Sequence, residues 1–157
     1  MGKCTCIEVE VKNDLQKYQC ERTGIYKISE AGNRNPTWVD ETNKQAIWWI
    51  THLNVWGIGD LNSLGTDVRG ITGKNDEIDN DDEFEFGVPF DPKFTWYYWN
   101  RNLQSFEKVP ETDDFIIKCS TKCDPNDKAS FLFKLYICVY FSNHLGIKLN
   151  KSAIIFQ

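Results

Sequence analysis

Ala46-Ile47-Trp48-Trp49-Ile50 is apolar at every position, and Leu53 to Ile58 (Leu-Asn-Val-Trp-Gly-Ile) resumes the pattern after Thr51 and His52. A segment apolar on both faces reads as a central strand, buried on both sides. Successive strand residues point to opposite faces, so at least one of Trp48 and Trp49 is a surface or second-layer residue. Gly57 and Gly59 flank Ile58, and glycine inside a strand marks a bulge or a close approach of backbone. The sequence predicts a β domain plugged by large aromatic rings.

Working outward, Ile7, Val9 and Val11 alternate with Glu8, Glu10 and Lys12, the period of a half-buried strand. Gly24 opens a second strand with Tyr26 and Ile28 on one face. Glu30 to Pro36 is a turn, Thr37 to Val39 a short strand, and Asp40 to Asn43 the next turn. From Asp60 to Asp82 the chain is rich in Gly, Asn, Asp and Ser, and reads as one long acidic surface loop. Phe84 to Phe90 reads as a short strand ending at Pro89. Phe94 to Trp99 is a strand with Phe94, Trp96 and Tyr98 on one face and Thr95, Tyr97 and Trp99 on the other. Asn100 to Asn102 is a turn, and Phe115 to Cys119 closes the pattern. The expected class is all-β: an antiparallel two-sheet sandwich or open barrel of about seven to nine strands.

The chain has 157 residues, the size of one domain with a real core. Its net charge of -5 disfavours nucleic acid and anionic membranes, since no run of Lys and Arg offsets it locally. The composition divides the chain into a Trp-rich β domain, 1–127, and a C-terminal segment, 128–157, with four of the 18 basic residues and none of the 23 acidic ones. Within that segment Phe131 to Phe141 is apolar except for Lys134. It is too short to span a bilayer and reads as a last strand, a short helix or a non-native end. The start, Met1-Gly2-Lys3-Cys4, has no apolar leader and, with Cys6 at the sixth position, no myristoylation motif.

Cys4, Cys6, Cys20, Cys119, Cys123 and Cys138 are even in number and close-paired at both ends, which favours a disulfide framework of undetermined connectivity. Free thiols in a cytoplasmic protein are the alternative. Zinc is disfavoured, because the spacers are not the two-residue kind and the chain's histidines are His52 and His144 alone.

The ordered series Cys6…Ile7-x-Val9, Gly24-x-Tyr26, Pro36-x-Trp38, Trp48-Trp49, Trp56-x-Ile58-Gly59, Trp96-x-x-Trp99, Cys119 resembles a Trp/Cys-rich β module of invertebrate extracellular proteins. The resemblance covers residues 4 to 123. It implies a secreted β domain and contributes no catalytic residues.

Three kinds of site are weighed against structural roles. Exposed indoles stack on sugar rings, so Trp49, Trp56, Trp96 and Trp99, with Asn54, Asn100 and Arg101 nearby, are candidate ligand-binding residues; core packing is the competing role for each ring. Asp76, Asp79, Asp81 and Glu83 are a weak calcium candidate, without the order of an EF-hand loop, and a solvated acidic loop is favoured. His52 lacks a nucleophile motif to serve and reads as structural or surface. Asn150-Lys151-Ser152 is a glycosylation acceptor in the C-terminal segment. The functional expectation is a non-enzymatic extracellular binding or structural module stapled by disulfides. It needs no cofactor, and its partners are other extracellular proteins or glycans. A carbohydrate-binding module is the alternative and a small hydrolase the remote one.

Overall fold

The structure, a computed structural model, describes residues 4–30, 35–76, 87–121 and 123. Among these residues nine strands form: β1 (Cys6–Val11), β2 (Gly24–Ser29), β3 (Thr37–Asp40), β4 (Gln45–Ile50), β5 (Val55–Asp60), β6 (Ile71–Asn75), β7 (Phe94–Asn100), β8 (Ser105–Lys108) and β9 (Phe115–Cys119). Each pairs antiparallel with its neighbours in the order β8-β7-β6-β5-β4-β3-β2-β1-β9. The class is therefore all-β. All nine strands belong to one sheet rather than to two facing ones. That sheet curls into a half-barrel, far enough that Trp96 on β7 packs on Phe115 of β9, ring centroids 4.9 Å apart. Between β1 and β2 a short helix α1 (Gln16–Gln19), with 3-10 turns on either side, lies against β7: Tyr18 meets Tyr98 at 5.4 Å and Gln19 Nε2 donates to the Trp99 carbonyl at 2.9 Å.

Strand alternation fills the inner face. Ile7, Val9, Val11, Tyr26, Trp38, Ile47, Trp49, Trp56, Ile58, Ile71, Phe94, Tyr98 and Phe115 form one buried cluster with Leu15. Trp56 is at its centre, fully buried, edge-on to Trp38 at 5.9 Å and to Trp49 at 5.4 Å. One ring of that size removed from water contributes about 4–6 kcal/mol of transfer free energy. The register explains the crowding: Trp49 faces Trp56, Trp56 faces Gly73, and Gly73 faces Trp96. A Cβ on Gly73 would stand 2.8 Å from the Trp96 ring, so glycine leaves the gap that the indole occupies.

β4 is buried on both sides, as its composition requires. Its outer residues Ala46, Trp48 and Ile50 join Val39, Val55 and Val68 in a second cluster. Residues 61–70 strap across this face, held where Trp48 Nε1 donates to the Thr66 carbonyl at 3.3 Å. Gly57 and Gly59 are the floor under the strap: a Cβ on Gly59 would collide with the Val68 side chain. Their role is close approach.

Three expectations are corrected and one strand is added. The stretch from Asp60 to Asp82 is not one loop, because it contains β6; its glycines mimic loop composition but serve packing. The strand expected from Leu53 begins at Val55, since Asn54 takes φ 52 and closes a 3-10 turn over Thr51–Leu53. Gly87 to Phe90, the described part of the expected Phe84–Phe90 strand, is coil and turn, and Phe84 to Phe86 lie outside the described residues. The turn after Asn100 leads into β8, which its exposed polar residues concealed. Residues 128–157 lie outside the described residues.

Candidate functional site

The cysteines come together at one end of the sheet. Cys4 bonds Cys119 and Cys6 bonds Cys123, with Cα atoms 5.8 and 5.7 Å apart. Both cross from the start of β1 to the end of β9, whose register sets Ile7 opposite Cys119. They staple β1 to β9, the one pair of neighbours in the sheet that does not follow in sequence. Cys20 is disulfide-bonded as well; Cys138 lies outside the described residues.

At the opposite end a buried arginine organises polar groups. Arg22 is 2% exposed. Its Nε donates to Gln19 Oε1 at 3.2 Å, and one terminal nitrogen donates to Gln45 Oε1 and to Asp60 Oδ1, the latter at 3.0 Å. Partial burial pushes the Asp60 carboxyl up, but Arg22, the hydrogen bond from Gln45 and the more distant Arg101 together hold it below the ordinary value. Arg101, expected as a ligand-binding residue, extends this network through Glu21 at 2.6 Å. Beside it Asp40 is buried in the β3–β4 turn, accepting from the Thr42 and Asn43 amides and from Asn43 Nδ2. Burial raises its carboxyl above the usual range against the pull of those bonds.

The expected ligand-binding residues divide. Trp49 and Trp56 are interior, and Trp96 packs partly buried against the same cluster. Asn100 is buried, its side chain donating to Glu107 at 2.8 Å and accepting from the Asn102 amide at 3.0 Å. Its partner on Glu107, the Tyr98 hydroxyl, is pushed up to about 12 by burial and by that carboxylate. Asn54 is exposed at the β4–β5 turn. Trp99 alone of the four indoles faces outward; it meets Phe106 edge-on at 5.2 Å, and the Arg69 guanidinium lies over its ring at 5.4 Å. The expected platform of coplanar surface indoles is not assembled by these residues.

His52 is on the surface, 2.8 Å from Asp67. Asp76 accepts the Tyr97 hydroxyl at 3.1 Å, while Asp79, Asp81 and Glu83 lie outside the described residues. Among the described residues no group of three His, Cys, Asp or Glu side chains is arranged to hold a metal, and no helix is long and apolar enough to cross a membrane.

What the structure adds is the outer face of β6–β7–β8. There Thr72, Tyr97 and Lys108 stand abreast, Lys74 stands beside Thr95, and Trp99 beside Phe106. Phe106 is 42% exposed and Leu103, in the adjoining turn, 61%. The grouping was illegible without β6 and β8, because its basic residues are dispersed along the chain. The alternation of Ile71-Thr72-Gly73-Lys74-Asn75 was the available signal. Comparisons with family models, with curated proteins and with solved structures find no match.

Proposed function

We propose that this chain is a non-enzymatic extracellular module, stapled by disulfides, that works by presenting a rigid surface to a partner. The observation that carries the reading is the pair of disulfides joining β1 to β9. Such bonds persist in oxidising compartments and are reduced in the cytosol. The resemblance to invertebrate extracellular Trp/Cys-rich modules points the same way. The inner face supports a scaffold role, since its rings pack on one another. His52 stands at the surface beside Asp67, a position that favours solvent contact over general base chemistry. The carbohydrate alternative is favoured by one feature, the outward Trp99 with Tyr97 and Phe106 on the same face.

The test is alkylation of protein from its native source under denaturing, non-reducing conditions, read by peptide mass. Cys4, Cys6, Cys119 and Cys123 remain unmodified if the reading holds. Alkylated Cys4 and Cys119 in freshly isolated protein would sink it.

A further inference from the structure

Two adjoining parts of the sheet's outer surface differ. Over β4 and β5 the strap of residues 61–70 seals an apolar cluster. Over β6, β7 and β8 the sheet carries Tyr97, Trp99 and Phe106 among three cations, Arg69, Lys74 and Lys108. All three cations are exposed, and none forms an ion pair with a described residue. Asp76 also belongs to this region, its carboxylate taken up by the Tyr97 hydroxyl. A chain of net charge -5 thus gathers, on a face built from aromatic rings, positive charge that no described acid pairs.

From this face, and resting on the binding-module reading above, we infer that β6–β7–β8 binds an acidic polysaccharide, one bearing sulfate or carboxylate groups at regular intervals. Three features select that ligand. Ring faces accept the apolar C–H side of a sugar. The exposed guanidinium over the indole, 5.4 Å from its centroid, carries N–H donors that match a sulfate or carboxylate bidentately. Lys74 and Lys108 are two strands and two residues apart, about 12 Å between Cα atoms at ordinary sheet spacings. That separation suits successive acidic groups on one polymer rather than a single small anion. Thr72 and Thr95 add hydroxyls between them.

The experiment is titration of the disulfide-intact protein with heparin, with neutral dextran and poly-glutamate as comparison polymers. Heparin binds and dextran does not, and affinity falls as ionic strength rises. The K74E/K108E double variant weakens heparin binding by at least about tenfold, since each reversal replaces an attraction by a repulsion. R69A and F106A each weaken it several-fold. Urea midpoints for these exposed positions check that every variant folds. Heparin binding unchanged by K74E/K108E, equal binding of dextran, tighter binding of poly-glutamate, or no binding at all would each overturn the assignment. Such a failure leaves the extracellular reading intact, because that reading is decided by the thiol state.

Discussion

Removing the disulfides one at a time and together tests how the sheet is braced. Cys4–Cys119 and Cys6–Cys123 span 115 and 117 residues. Either loop, closed alone, restricts the unfolded chain by about 5 kcal/mol. The loops interleave and overlap over almost their whole length, however. Once one bond is present, the other closes only a ring of about eight residues, worth about 2.5 kcal/mol. In a C20S background, which removes the remaining cross-link, the C4A/C119A variant and the C6A/C123A variant therefore each lose about 2.5 kcal/mol, whereas the variant lacking all four loses about 7. The loss in the quadruple variant exceeds the sum of the two pairs by about 2 kcal/mol. It is comparable with the whole stability of an ordinary domain, so that variant is largely unfolded. Urea unfolding at a common m-value gives the three numbers. Additive losses of about 5 kcal/mol per bond would show that the bonds constrain separate parts of the chain, and would refute the overlapping-staple reasoning.

Three further outcomes follow from the packing and the charges. Gly59→Ala costs about 2–3 kcal/mol by driving a methyl into Val68, and Val68→Ala in the same chain recovers part of that loss, as urea midpoints of the four-member cycle will report. Arg22→Ala costs about 3–5 kcal/mol, because Gln19 and Gln45 lose a buried charged donor; Arg22→Lys, a point charge without the fork, recovers little of it. Titrated stability separates the two perturbed carboxylates. Asp60 is held below the ordinary 3.8, so what it contributes is present above that value and lost as pH falls through its folded pKa. Asp40 is raised, so stability falls as pH climbs from 3.8 through its folded pKa, and Asp40→Asn flattens that limb of the curve. A D40N curve parallel to that of the parent would contradict the assignment.

The strands that read clearly in sequence are those whose burial differs between faces or is complete on both. Ile7 to Val11 alternates, Ala46 to Ile50 does not, and β1 and β4 follow. β9 spans Phe115 to Cys119, as read. β6 and β8 were missed for opposite reasons. β6 carries Gly73 because a neighbouring indole needs the space, so a packing requirement took the form of a loop signal. β8 is an edge strand with three of its four residues exposed, so it has little apolar pattern to display. The same cause hid the candidate surface. Trp99 was legible as a ring, but its neighbours Arg69, Lys74 and Lys108 gather only through strand register.

The indoles constrain where this protein can act. Trp38, Trp48, Trp49 and Trp56 are buried and Trp96 packs on the core, so most of the residues that make the sequence distinctive are consumed by the fold. A curled single sheet has two ways to host a ligand: inside the curl or on its outer surface. Inside, Trp56 meets both Trp38 and Trp49 at van der Waals range, and a ligand entering there would have to displace rings worth several kcal/mol each. Outside, the strap over β4 and β5 occupies one part through Val68 and Trp48. The β6–β7–β8 face proposed above lies beside the strap, where side chains point outward from strands backed by the rings of the core. Rigidity there is useful, because side chains fixed by strand register lose little freedom when a partner arrives. On the proposed reading, the core's tryptophans would serve binding indirectly, by making the β6–β7–β8 face a preorganised one.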